Sequence, residues 1–139
     1  MKKVSGLALL GLSGAVCCSM AAWEGYAHEA THAMETGQII SSRVELLIRK
    51  AAGTMIEKCV AIPSKYRVSF NYTSAEITTF SVHYHQGEEV LLAFDEDKQS
   101  SLSSYFNTHS DQNYCFTWVN EQDKNRDWVI SLEYQATPL

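Results

Sequence analysis

From residue 66 onward, apolar and polar side chains alternate with a period of two, the repeat of a strand with one face in water. Tyr66, Val68, Phe70 and Tyr72 interleave with Arg67, Ser69, Asn71 and Thr73. Phe80, Val82 and Tyr84 interleave with Thr79, Ser81, His83 and His85. Gln86-Gly87 predicts a turn into residues 90–94, which are apolar at both parities and read as a central strand. A weaker strand follows at 105–108. Tyr114, Phe116 and Trp118 mark a strong one, and Trp128, Ile130, Leu132 and Tyr134 mark the last. Residues 41–58 carry two signals. Ser42 and Glu45 fit a helix capping box, with Val44, Leu47, Ile48, Ala51 and Met55 at helical spacing, yet 44–48 also reads as a buried strand. Strand is favoured there. About seven short strands at this spacing predict an all-β fold, an antiparallel β-sandwich.

The N-terminal part has a different character. Lys2 and Lys3 precede an apolar run over 7–18, and small residues then offer cleavage after Ala21 or Ala27, the layout of a secretory signal peptide over 1–27. The run is too short for a membrane span, and nothing later approaches the length of one. Cys17 and Cys18 leave with the leader, because Gly14-Ala15-Val16 makes a poor lipid-attachment box. Residues 28–40 read as a short polar arm, and 41–139 as a single β-sandwich domain. The expected location is periplasmic or secreted.

Export changes the reading of the two remaining cysteines. Thiols persist poorly in oxidising compartments, so Cys59 and Cys115 are expected to form a disulfide. No CxxC and no neighbouring Cys–His pair supports a catalytic thiol. The whole chain of 139 residues carries a net charge of −5, and loss of Lys2, Lys3 and Glu24 with the leader makes it one unit more negative. With no basic patch, nucleic acid is not an expected partner, and nothing favours an anionic membrane surface.

The runs 62–72 (IPSKYRVSFNY) and 79–84 (TFSVHY) resemble the first half of a GOLD (Golgi-dynamics) domain. The stretch 106–120 (FNTHSDQNYCFTWVN) is similar to that family's ending, where its cargo-receptor branch carries a Cys-Phe pair and a second cysteine near the domain start. Cys115-Phe116 and Cys59 stand at those places, and the resemblance covers about 56–136. It implies a sandwich, jelly-roll-like in outline, that binds proteins or lipid-like ligands and does no catalysis. The coiled coil and transmembrane helix of the cargo receptors have no counterpart, so a role in vesicle traffic does not carry over.

Two histidine patterns carry candidate chemistry. His28-Glu29-Ala30-Thr31-His32 matches H-E-x-x-H, which on a helix holds zinc with the glutamate as general base. Here it falls in the polar arm, without a third ligand, so it reads as a solvated segment; cleavage after Ala27 would instead make His28 a terminal copper chelator. His83 and His85 lie on one face of a strand, about 6.5–7 Å apart along it. Two such imidazoles suit copper or zinc, with His109 and Glu88 or Glu89 as candidates to complete the set. An ordinary solvated strand face is the competing reading of this pair.

Other features read as structural. Trp118 and Trp128 are expected in the core, and Asp95-Glu96-Asp97 in a solvated turn. Asn71-Tyr72-Thr73 is a glycosylation sequon that stays silent in a bacterial host, which the Lys-Lys leader suggests. No catalytic triad, phosphate loop or catalytic carboxylate pair stands out, so no enzyme and no obligatory cofactor is expected. The expected function is an exported binding module for a protein or lipid-like ligand; the alternative is a periplasmic copper- or zinc-binding protein built on His83 and His85.

Overall fold

The structure, a computed structural model, describes residues 37–139. The leader, most of the arm, Cys17, Cys18, His28, Glu29 and His32 lie outside the described residues.

Six antiparallel strands make up the described chain: β1 (Ile40–Ile48), β2 (Thr54–Ile62), β3 (Tyr66–Gln86), β4 (Glu89–Asn107), β5 (Gln112–Asn120) and β6 (Trp128–Pro138). They form one sheet in the order β1-β6-β3-β5-β2, with β4 beside β3. The sheet curls because β3 takes part in two layers. Its first half, from Tyr66 to Ser74, pairs with β6, whereas Thr79 to His83 pair with β5. At the corner the β3–β4 ladder breaks. The pairs Thr73–Ser101 and Thr78–Gln99 leave residues 74–77 of β3 opposite Ser100 alone, a bulge that turns the strand from one layer into the other. Ser74 fixes that corner. Its hydroxyl donates to the Glu76 carbonyl at 2.7 Å and accepts the Trp128 indole N–H at 2.8 Å.

Between the layers lies an aromatic core. Phe70 of the first layer meets Phe80, Phe94 and Phe116 of the second at 5.3, 5.3 and 5.7 Å between ring centroids. Tyr72 meets Trp118 edge-on at 5.5 Å, and Phe116 stacks on Tyr134. Each such pair adds roughly 0.5–1.5 kcal/mol beyond the area it buries. Trp118 and Trp128 are core residues, as their alternation predicts.

The expected sandwich is present, with several strands drawn differently. The ambiguous 41–58 region is strand, split by a tight turn at 49–53. Asn120, fully buried, directs its side-chain amide at the carbonyls of Arg49, Lys50 and Ala51. That fixed turn places the alternating positions of β1 over the core, so the apolar residues are met at strand spacing rather than helical. The strands expected at 66–73 and 79–85 are two arms of β3, and those expected at 90–94 and 105–108 are two ends of β4. Residues 90–94 are not central: among the described residues β4 pairs with β3 alone, and Val90 and Leu92 are exposed. Asp95-Glu96-Asp97 is not a turn but part of β4, where register shifts let charged side chains escape the core. No helix among the described residues is long and apolar enough to cross a membrane.

The edges are guarded. Lys58 projects from the inward side of β2, beside Phe116 in register. Its ammonium must reach water past the rim, which disfavours a further strand pairing there.

Candidate functional site

Directly opposed residues in antiparallel strands share a face, so the register of the second layer determines its outer surface. Cys59, Cys115, His83 and Leu92 form one row across β2, β5, β3 and β4. The adjacent row toward the bulge holds Glu57, Thr117 and Ser81, and the next holds Met55, Val119 and Thr79. On the other side His85 stands opposite Val90. Met55, Val90 and Leu92 are each more than half exposed, at 59%, 59% and 51%. Val90 and Leu92 thus form an apolar margin beside His83 and His85 on a crosslinked sheet, and Met55 stands at the far corner beyond the polar row of Glu57, Thr117 and Ser81.

The crosslink is the expected one. Cys59 and Cys115 are joined in a disulfide with Cα atoms 3.9 Å apart, tying β2 to β5 on the face opposite Tyr114, Phe116 and Trp118. Alternation alone puts Cys115 on that outer face, yet it is almost fully covered there by its neighbours.

His83 is held beside the bridge. Its Nδ1 lies 3.1 Å from the Thr117 hydroxyl, and that hydroxyl lies 3.2 Å from Glu57 Oε1. The Thr117 hydroxyl thus links the imidazole to the carboxylate, and it also lies 3.4 Å from the Cys115 carbonyl. The other ring nitrogen, Nε2, faces Glu57 Oε1 at 3.7 Å. The His85 ring packs edge-on to that of His83, with centroids 5.3 Å apart. One ligand atom each from Glu57, His83 and Cys115 lie within 4.8 Å of one another.

The structure therefore brings His83 and His85 together, as alternation predicts. His109 sits in the β4–β5 connection, exposed, and does not join the cluster of potential ligands; nor do Glu88 and Glu89 at the β3–β4 turn. Sequence reasoning missed Glu57 and Thr117. The available signal was the spacing Glu57-x-Cys59 and Cys115-x-Thr117, which in strands puts each pair on one face, but the β2–β5 register had to be known.

The outer face of the first layer is chemically different. Ser41, Gln135, Ser69 and Tyr105 form one row, and Arg43, Glu133, Asn71 and Ser103 the next. All of these but Tyr105 line an open groove of about 620 Å³, and Arg67 lies over the Tyr105 ring at 4.6 Å. The sequon asparagine, Asn71, is exposed on this face in the middle of a paired strand.

No family model matches this chain, GOLD domains included, and no curated protein matches it. Among solved structures it resembles PliG of Aeromonas hydrophila, a periplasmic inhibitor of g-type lysozyme, with 10% identity and a TM-score of 0.53 over 70% of this chain and 86% of that one. A more distant likeness is to the C-terminal CBM6 of LamC, a marine laminarinase from Zobellia galactanivorans, with 15% identity and a TM-score of 0.39 over 68% and 99%. The likeness to PliG shows the fold, a β-sandwich-like architecture, and nothing more specific.

Proposed function

We propose that this protein is an exported, non-catalytic module, periplasmic or secreted, that binds a protein partner through the outer face of its β2-β5-β3-β4 layer. The observation that carries this reading is the exposure of Val90 and Leu92, neighbours on one face of β4 beside His83 and His85, on a layer stapled by the Cys59–Cys115 bridge. Large apolar side chains gathered on one face mark interaction sites more often than scattered ones do. A crosslinked sheet also loses little conformational freedom on binding, which favours affinity. Four strands about 4.8 Å apart and four rows about 7 Å apart give a flat area on the order of 400 Å². That is below the roughly 800 Å² per partner of a standard interface, so the partner also reaches the β2 edge or the β3–β4 turn. A protein is favoured over a lipid-like ligand because the apolar groups lie on an open sheet surface. The disulfide supports an oxidising compartment.

The fold likeness to PliG gives the first partner to try, a g-type lysozyme. The test is binding by calorimetry and inhibition of cell-wall lysis, with wild-type protein beside Leu92→Asp/Val90→Asp. Binding that the double variant abolishes supports the reading. Binding that it leaves intact moves the interface elsewhere, and absence of binding removes this partner class.

One observation favours a second reading, in which the oxidised protein captures copper or zinc: the His83 and His85 rings are adjacent on one face. Titration with copper should then show one site, lost in His85→Ala. A dissociation constant weaker than about 10 μM, or one unchanged in that variant, sinks it.

A further inference from the structure

We propose that reduction of the Cys59–Cys115 bridge converts this patch into a four-ligand zinc site made of Cys59, Cys115, His83 and Glu57, so that bridge and metal exclude each other. The inference is independent of the protein-binding reading, and it differs from the His83/His85 reading in ligands and in redox state.

The geometry is supplied by three adjacent strands. Cys59, Cys115 and His83 stand in one row, and Glu57 precedes Cys59 by two residues, so all four side chains leave the same face. A tetrahedral zinc ion with Zn–S near 2.3 Å and Zn–N or Zn–O near 2.0–2.2 Å needs its ligand atoms about 3.3–3.8 Å apart. His83 Nε2 and Glu57 Oε1 already stand at 3.7 Å. The ligand atoms of Glu57, His83 and Cys115 all fall within 4.8 Å, and Cys59 stands directly opposite Cys115 in the β2–β5 ladder. Side-chain rotation alone has to separate the two sulfurs. The Thr117 hydroxyl completes the arrangement, 3.1 Å from His83 Nδ1 and 3.2 Å from Glu57 Oε1. With Nε2 on the ion, Nδ1–H donates to that hydroxyl, the outer contact by which a zinc-bound imidazole is oriented. Two thiolates, an imidazole and a carboxylate are a zinc donor set.

The chemistry balances with a thiol reductant. A dithiol attacks Cys59, which is exposed where Cys115 is buried. Its two electrons break the S–S bond, the dithiol leaves as its own disulfide, and the protein gains two thiols. Zinc binding then displaces both thiol protons to solvent.

The test uses the chain carrying Cys17→Ser/Cys18→Ser, so that Cys59 and Cys115 are its remaining thiols, reduced with a phosphine, freed of reductant without oxygen, and titrated with cobalt(II) as a spectroscopic stand-in for zinc. The expected result is one equivalent bound with a thiolate charge-transfer band and intense tetrahedral d–d bands, both bleached by zinc and both missing in the oxidised protein. His83→Ala, which keeps both cysteines, should weaken binding at least tenfold, and His85→Ala should leave it unchanged. Zinc should also slow reoxidation by glutathione disulfide at least tenfold. If the reduced chain unfolds, zinc is expected to refold it, read by circular dichroism. Failure of the charge-transfer band to appear, a band indifferent to His83→Ala, or an unfolded reduced chain that zinc does not rescue each overturns the proposal.

Discussion

Replacing both bridge cysteines, Cys59→Ala/Cys115→Ala, isolates what the crosslink contributes to folding. The two residues are 56 apart in sequence. Closing a loop of that length removes, in the chain-entropy model, roughly 4 kcal/mol of freedom from the unfolded chain at 25 °C. Cys115 is buried, so losing its sulfur adds about 1 kcal/mol of packing on top. For a domain near 100 residues each kcal/mol moves Tm by about 4–8 °C, so a fall of at least about 16 °C is expected. Urea unfolding followed by tryptophan fluorescence reads this directly, since Trp118 and Trp128 are in the core. The slope m should rise as well, because an uncrosslinked unfolded chain exposes more surface. Wild-type protein kept under reductant, with metal chelated, should lie about 1 kcal/mol above the variant, since it loses the crosslink and keeps the buried sulfur. A loss below about 1 kcal/mol with unchanged m would refute the argument, showing that the unfolded chain is already compact where the bridge would constrain it.

Asn120→Ala leaves the Arg49, Lys50 and Ala51 carbonyls without their amide donor, which should lower stability by about 2–4 kcal/mol in urea titration. Asn120→Asp should do no better at neutral pH, since it turns an acceptor toward acceptors. Asp127 accepts from the Lys50 backbone N–H and from Arg49, each at 2.8 Å, and these hold its carboxyl below its usual value. A depressed carboxyl contributes stability above its unfolded value, near pH 4, and that contribution disappears as pH falls through the lower folded value. The stability gap between wild type and Asp127→Asn should therefore be present at pH 7 and close in acid; a gap that persists at pH about 2 contradicts this. Burial, then the charge of Asp97, pushes Tyr72 up to about 12. The folded phenol stays neutral while the unfolded one ionises from about pH 10, so stability should fall between about pH 10 and 12. Tyr72→Phe should flatten that part of the profile, and an unchanged alkaline slope would count against it.

The period-two alternation determined the fold class and most of the core, because an interior two layers thick selects every second residue of each strand. It placed Trp118, Trp128 and the two arms of β3 correctly, and set Cys115 and His83 on outward faces. Alternation is a local property, however, and carries no register between strands distant in sequence. It could not reveal that the bulge at 74–77 joins two apparent strands into one, or that residues 90–94 lie at a margin, where their second apolar face meets water instead of core. Nor could it put Glu57 and Thr117 beside His83, three residues spread over β2, β5 and β3. Pairing fixed by long-range hydrogen bonds decided those neighbours. The amino-acid sequence thus settled which side chains face out and which two cysteines join, whereas the β2-β5-β3 register, set only in the folded sheet, decided that Cys59, Cys115, His83 and Glu57 share one small patch of surface.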